Sequence, residues 1–249
     1  MGKTIRAKTY GCLEPELYFH KSVSISSDTT ERDPTAEFKV LLQLEPPSII
    51  DLTIPIIQNQ YHFDLILAWK QEVLDGCENS AFLPFGSCWI DDKDHGVHKK
   101  TKLVSIIASQ KNITIGHQLR HAIIARDKTL DLYGRGYNAI DNKITALKDY
   151  MFSVIIENST TKNYFSEKTI DCLITGTVPV FWGCENISDF FDTRGFIFFD
   201  SVKEYKQIRD SLTKEKYLEM LPYIEKNYTL SLNYIKFAKR VETEIDKRI

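Results

Sequence analysis

The stretch from Glu157 to Gly183, ENSTTKNYFSEKTIDCLITGTVPVFWG, gathers side chains that can grip a charged, hydroxyl-rich ligand: Asn158, Tyr164, Glu167 and Lys168. A polar, turn-prone segment leads here into a helical pattern from about Phe165, so Glu167 and Lys168 fall in a first helical turn. Free backbone N–H groups and the positive end of the helix dipole attract anions at such a turn. Lys168 adds a full positive charge suited to a phosphate or diphosphate. Tyr164 can stack on a ligand or hydrogen-bond to it, Glu167 can accept from sugar hydroxyls, and Asn158 can do either job. The same residues also read as ordinary helix-start chemistry. In that reading Ser166 or Asn163 caps the helix, Glu167 favours its N-terminal turn, Lys168 is solvated, and Gly176, Pro179 and Gly183 punctuate the following strand.

Other groups carry less specific patterns. His117 and His121 stand four apart on a predicted helix, a spacing that can hold zinc, but no Cys or acid completes the set. His117 is therefore read as capping the helix or facing a cleft, and His121 as a surface residue. Asp92 and Asp94 in DDKD form a D-x-D triplet able to hold a divalent metal; in a segment this charged it reads as solvated, as do His95 and His98. LYGRGYN, residues 132 to 138, places Gly134 and Gly136 after a strand without the full dinucleotide fingerprint, so a plain turn is the simpler meaning. Arg135 and Tyr137 can nevertheless line a base pocket. Trp69, Trp89 and Trp182 follow strand patterns and are assigned to core packing.

The elements that must position these groups are legible from periodicity. FKVLLQL (38 to 44) and FDLILAW (63 to 69) have the length and apolarity of buried parallel strands joined by a crossover. After the charged segment CWIDDKDHGVHKKTK a second series alternates: strand LVSIIAS, helix IGHQLRHAIIAR, strand LDLYG, helix NKITALKDY, strand FSVIIE, helix FSEKTIDCLIT, strand VPVFWG, short helix ISDFF and strand GFIFFD. Such alternation predicts a parallel, doubly wound sheet with ligand sites at the strand C-terminal ends. Two or three amphipathic helices follow from Val202 onward. The expected organisation is a first lobe over 1–98, a second over 99–225 and a terminal helix over 226–249.

Composition excludes several function classes. A formal charge of -2 over 249 residues offers no general attraction to nucleic acid. Five dispersed cysteines without a C-x-x-C pair argue against a zinc site or a disulfide framework and fit a reducing, cytoplasmic setting. No apolar run approaches the roughly 20 residues needed to span a bilayer, the opening residues lack a signal-peptide core, and Gly2 is followed by Arg6 where myristoylation needs Ser or Thr. A soluble protein is expected.

The 157–183 stretch resembles the signature of the α-1,3-fucosyltransferases, glycosyltransferase family 10, in which an F-E-N-type strand end leads to Y-x-T-E-K and then to a G-T-V-P-V-x-x-G strand. Order, spacing and residue types agree over some twenty-five positions, with Ser166 in place of the usual Thr. The likeness extends from Lys102 to about Leu221, continuing through FFDTRGFIFFDS. It implies an α/β, GT-B-like architecture of two Rossmann-like lobes with a cleft between them, the second lobe holding a GDP-sugar, GDP-fucose foremost. Asn158, Tyr164, Glu167 and Lys168 match the family's nucleotide-sugar residues one by one; Lys168 would contact the diphosphate, the others phosphate, ribose or sugar hydroxyls. The family's diphosphate arginine has no direct counterpart. Gly116 aligns with it, leaving Arg120, one helical turn later, or Lys111 as substitutes. Gly134 and Tyr137 are added as candidate donor contacts.

The reaction implied is transfer of fucose, or of a sugar from another GDP- or UDP-donor, to a glycan hydroxyl with inversion; a binding module without turnover is the alternative. Inversion needs a base for the acceptor hydroxyl. Glu45 follows the strand FKVLLQL and precedes two prolines that fix an extended turn, and the family is similar in carrying a Glu after an early strand. Glu45 is the expected general base, or else one of many exposed acids at a turn. Lys168, one arginine and the helix N-terminus would stabilise the leaving GDP, so no metal or other cofactor is expected.

Overall fold

The computed structural model describes residues 5–11 and 15–249; Gly2 and Cys12 lie outside the described residues. The chain divides into two compact units, one running to Phe85 and taking in Lys236–Ile249, the other spanning Gly86–Ile235.

In the first unit β1 (Ile5–Arg6) pairs antiparallel with β3 (Tyr18–Phe19). A parallel five-stranded sheet takes β2 (Lys8–Gly11), β4 (Val23–Ser27), β5 (Phe38–Leu42), β6 (Leu65–Ala68) and β7 (Ser80–Phe82) in that spatial order. Helices α1 (Thr53–Asn59) and α2 (Gln71–Gly76) make the crossovers. The period of two along a strand splits its apolar residues between the sheet faces. Val40, Leu42, Leu65 and Leu67 pack with Phe237, Val241 and Ile245, spaced four apart on the C-terminal helix Phe237–Asp246. Leu41, Ile66 and Ala68 pack instead with Ile56 of α1 and Val73 of α2. Both faces are covered, which is why these strands read as continuous apolar runs.

The second unit carries β8 (Lys102–Ile107), β9 (Asp131–Tyr133), β10 (Tyr150–Ile156), β11 (Val178–Trp182) and β12 (Ile197–Phe198), all parallel in the order β12-β11-β10-β8-β9. Helices α3 (Ile115–Arg126), α4 (Glu167–Ile174), α5 (Val202–Ser211) and α6 (Lys214–Ser231) complete it. Central β10 is buried along its whole length. Its Phe152, Val154 and Ile156 pack with Ile123 of α3 and Tyr217 of α6, while Ile155 packs with Ile170 and Leu173 of α4.

Three expectations about local elements change. NKITALKDY is not a helix: only one 3-10 turn forms over Lys143–Ala146, and β10 starts at Tyr150. The carbonyls that a further helical turn would engage are taken by side chains, Ala146 O by Ser105 Oγ at 2.6 Å and those of Leu147 and Lys148 by the buried Lys100 ammonium at 3.3 and 3.1 Å. ISDFF likewise contracts to a 3-10 turn, Ile187–Asp189. Trp89 is not core; it is 65% exposed, because its neighbours Cys88 and Ile90 take the apolar contacts.

The compact second unit starts at Gly86, ahead of the expected 98/99 division, because the charged segment packs there. The Trp89 N–H donates to Asp171 Oδ1 at 2.7 Å, and Ile90 packs against Leu147 and Ile174. Residues 226–249 do not stand apart, since α6 runs through to Ser231 and the last helix joins the first unit. Among the described residues no helix is long and apolar enough to cross a membrane.

Candidate functional site

The C-terminal end of β10 meets the N-termini of two helices. On one side, α4 is capped by Ser166, whose Oγ accepts from the Lys168 N–H. On the other, α3 starts at a reciprocal capping box: Thr114 Oγ1 accepts from the His117 N–H at 3.1 Å, and His117 Nδ1 accepts from the Thr114 N–H at 3.2 Å. Gly116 lets α3 come this close. A Cβ on it would lie 2.0 Å from the Glu157 carbonyl oxygen and 3.2 Å from the Asn158 Cα, so a side chain has no room there.

Glu157, the last residue before the loop, organises the α4 side and is fully buried. Its Oε1 accepts from the Ser166 N–H at 2.9 Å and from Thr169 Oγ1 at 2.7 Å, and its Oε2 accepts from Ser166 Oγ at 2.6 Å. Lys168 Nζ stands 3.7 Å from the same carboxylate, 3.3 Å from Glu167 Oε1 and 3.0 Å from Ser166 Oγ. Gly183 leaves the space for this side chain, since a Cβ there would lie 2.8 Å from Glu157 Cγ.

Arg120 enters from α3. It is buried, with Nε and Nη2 donating to the Ile156 carbonyl at 3.1 and 2.8 Å and Nη2 donating to Asn158 Oδ1 at 2.9 Å. One turn after Gly116 and on the same helix face, its longer reach brings a guanidinium to the strand end that the glycine itself only touches. Burial pushes its pKa down, while Glu157, Glu167 and Tyr164 favour the charge. The fixed positive groups Arg120 and Lys168 thus meet two helix N-termini at one strand end, an arrangement that attracts an anion.

Glu167 faces Lys143, whose ammonium lies 3.3 Å from Glu167 Oε1 and 2.8 Å from Asp171 Oδ2, and 4.1 Å from the centre of the Trp89 ring. Burial raises the Glu167 pKa, but the two lysines outweigh it and hold the carboxyl at about 2. Asp171 is pushed up by burial, opposed by Lys143. Tyr164 is buried and near enough to Arg120 to favour its charge.

The structure therefore brings Asn158, Tyr164, Glu167, Lys168 and Arg120 together. Lys111 and Tyr137 join through His121, which donates from Nε2 to the Lys111 carbonyl at 2.9 Å and accepts at Nδ1 from the Tyr137 hydroxyl at 3.1 Å. Gly134 opens the turn after β9, its carbonyl accepting the Tyr137 N–H at 3.0 Å. Glu45 belongs to the first unit, just past β5, its N–H donating to the Asp28 carboxylate at 3.1 Å and the preceding Leu44 N–H at 2.8 Å. Asp92 and Asp94 form a 3-10 turn, and among the described residues no group of three His, Cys, Asp or Glu could hold a metal ion. Glu157, Lys143 and Asp171 were not singled out from sequence. A carboxylate directly after a mostly apolar strand is the available signal for Glu157; nothing local marks Lys143, because its partners lie on α4.

Two parallel-sheet α/β units define the GT-B-like class of glycosyltransferase fold, and solved structures agree. A crystal structure of an α1,3-fucosyltransferase with GDP superposes at a TM-score of 0.57, with 16% identity, over 86% of this chain and 77% of that one. Another, with GDP-fucose, gives 0.55 at 17% identity over 80% and 68%. The sequence profile of the C-terminal region of glycosyltransferase family 10 (fucosyltransferase) matches residues 97–247, and the chain belongs to that family. An alpha-(1,3)-fucosyltransferase of Helicobacter pylori is 30% identical over 99 residues, 40% of this chain and 19% of that protein. A fucosyltransferase-like protein of Arabidopsis thaliana is 31% identical over 120 residues, 47% and 23% respectively. The chain spans about a fifth of the length of these curated relatives.

Proposed function

We propose that this protein transfers fucose, or a closely related sugar, from a GDP-sugar to a hydroxyl of a glycan, with inversion at the anomeric carbon. The observation that carries the reading is the meeting of α3 and α4 N-termini, Arg120 and Lys168 at the end of β10 in a member of this family. The diphosphate lies against these groups. Lys168 and Arg120 compensate its charge, and Asn158, Tyr164 and Glu167 accept from or donate to phosphate, ribose and sugar hydroxyls. Tyr137, Gly134 and Lys111 border the same donor.

Glu45 takes the proton of the acceptor hydroxyl as its oxygen attacks the anomeric carbon. The bond from that carbon to the β-phosphate oxygen breaks, its electron pair stays on the phosphate, and GDP leaves. Fixed cations and helix N-termini stabilise the charge that grows on that oxygen, commonly the largest contribution to such a step. These groups supply the charge compensation that a metal provides elsewhere, so turnover in EDTA is expected.

Calorimetric titration with GDP, UDP and ADP, followed by a GDP-fucose turnover assay, tests the proposal. GDP binding that Lys168→Ala weakens by about 1.5–3 kcal/mol, the range for a charge-assisted hydrogen bond, supports it. Glu45→Gln is expected to abolish transfer and keep GDP affinity. UDP binding without GDP binding refutes the donor, and a Glu45→Gln variant with full turnover refutes the base.

A further inference from the structure

Lys143 is a cation beside the candidate site for which the functional reading has no use. It opens the 3-10 turn between β9 and β10, 24 positions before Glu167, and its side chain is only 18% exposed. Three groups surround its ammonium: Asp171 Oδ2 at 2.8 Å, Glu167 Oε1 at 3.3 Å and the Trp89 ring, whose centre lies 4.1 Å away. Glu167 and Asp171 stand four apart on α4, so both carboxylates share one helix face, and the ammonium compensates their repulsion. Asp171 is itself anchored, since its Oδ1 accepts the Trp89 N–H at 2.7 Å. Two ion pairs and a cation–π contact thus fix the position of Lys143.

Glu167 Oε1 is shared between two lysines. Lys168 Nζ also stands 3.3 Å from it, but Lys168 has further partners in Ser166 Oγ at 3.0 Å and Glu157 Oε2 at 3.7 Å, and the donor reading gives it to the diphosphate. A bound diphosphate therefore competes with Glu167 for Lys168, whereas Lys143 stays with α4. The charged groups facing Glu167 are Lys143 from the 3-10 turn, Lys168 and Asp171 from α4, and Arg120 of α3, whose charge Glu167 favours. The Cys88 thiol, near Asp171 and Lys143, is pushed up to about 12, chiefly by burial, and stays neutral. Burial raises the Glu167 pKa and the two lysines bring it down to about 2, so loss of Lys143 moves its titration towards neutrality.

Resting on the nucleotide-sugar reading above, we infer that Lys143 is a positioning residue for the donor, holding the Glu167 carboxylate where it accepts from ribose or sugar hydroxyls once Lys168 has engaged the diphosphate. Lys143 touches no ligand and transfers no proton; it acts through Glu167. Asp171 and the Trp89 ring hold the ammonium in turn, and the ring covers one side of it, which strengthens the ion pairs by keeping water away. The 3-10 turn Lys143–Ala146, where the sequence pattern predicts a longer helix, thereby supplies the candidate site with a cation.

Lys143→Met keeps most of the side chain's length and removes its charge. Calorimetry at pH 7.5 is expected to show GDP-fucose affinity reduced about tenfold or more, the loss of a hydrogen bond to a charged acceptor. Inorganic pyrophosphate, which carries neither ribose nor sugar, should stay within about threefold of wild type, because Lys168 and Arg120 remain. As pH is lowered from 7.5 to 5, the ratio of variant to wild-type affinity for GDP-fucose should fall further, since the less compensated Glu167 takes up a proton. Glu167→Gln is expected to match Lys143→Met, and the double variant to be no weaker than either. Lys143→Met leaves two carboxylates short of a cation, so the charge-balanced pair of Lys143→Met with Asp171→Asn, whose amide oxygen still accepts the Trp89 N–H, replaces it if it does not fold. GDP-fucose affinity within about twofold of wild type, equal weakening of both ligands, or a ratio unchanged by pH overturns the inference. If Glu167→Gln binds GDP-fucose as wild type does while Lys168→Ala weakens pyrophosphate, this inference fails alone. Wild-type protein that binds neither ligand refutes the nucleotide reading and this inference with it.

Discussion

Removing the Glu157 carboxylate should cost more stability than removing any other single acid in the second unit. The side chain is fully buried and accepts three hydrogen bonds, from the Ser166 N–H and Oγ and from Thr169 Oγ1, while Lys168 lies 3.7 Å away. Glu157→Ala leaves the Ser166 amide and the Thr169 hydroxyl without their acceptor and deprives Lys168 of one counter-charge. Each bond to a charged acceptor is worth about 1.5–3 kcal/mol, but the two hydroxyls can rotate to other oxygens, so full additivity fails. An estimate of about 3–5 kcal/mol follows, the usual cost of breaking a buried charged network. With about 2–4 °C per kcal/mol for a chain of this size, melting of the second unit should fall by roughly 6–20 °C. Glu157→Gln keeps the volume and an oxygen for the Ser166 amide, so it should lose only about 1–2 kcal/mol. Urea and thermal denaturation of the three proteins, followed by circular dichroism, make the comparison. If Glu157→Ala stays within 0.5 kcal/mol of wild type, a magnitude typical of surface sites, the Glu157 carboxylate does not tie β10 to α4.

Gly116→Ala should destabilise despite alanine's advantage of about 1 kcal/mol in a helix. Its Cβ would meet a backbone oxygen at 2.0 Å, so α3 must move, at about 1–3 kcal/mol. The urea midpoint reads this loss, and weaker GDP binding is expected as Arg120 is drawn from Asn158. Stability should also fall in acid. His117, held at about 4 against an ordinary 6.5, binds fewer protons folded than unfolded, so its contribution is full above pH 6.5 and is lost as pH falls towards 4. Glu167, at about 2 against an ordinary 4.5, extends the loss from pH 4.5 towards 2. Urea midpoints measured from pH 7.5 to 4 should decline for wild type, and His117→Ala should flatten the slope between 6.5 and 4.

The strands and helices of the second unit were legible wherever apolar period and capping agreed locally. IGHQLRHAIIAR is α3 to the residue, and Ser166 caps α4 as one local reading had it. NKITALKDY misled because its helical pattern is local, whereas Ser105 and Lys100, distant in sequence, capture its carbonyls. Trp89 misled for the related reason that strand-like apolarity does not reveal which of three consecutive residues, Cys88, Trp89 or Ile90, will face inward.

For the candidate site, the sequence by itself determined the ingredients: an ordered run of Asn158, Tyr164, Glu167 and Lys168 at a helix start, and the family that run belongs to. Residue type and spacing suffice there, because a strand end and a helix N-terminus are neighbours along the chain. Only the tertiary structure decided which cation completes them. Arg120 reaches Asn158 across 38 positions, and it does so because Gly116 has no side chain to hold α3 away from the end of β10. Contacts between separate elements depend on how closely backbones can approach, and that distance is written in no local pattern.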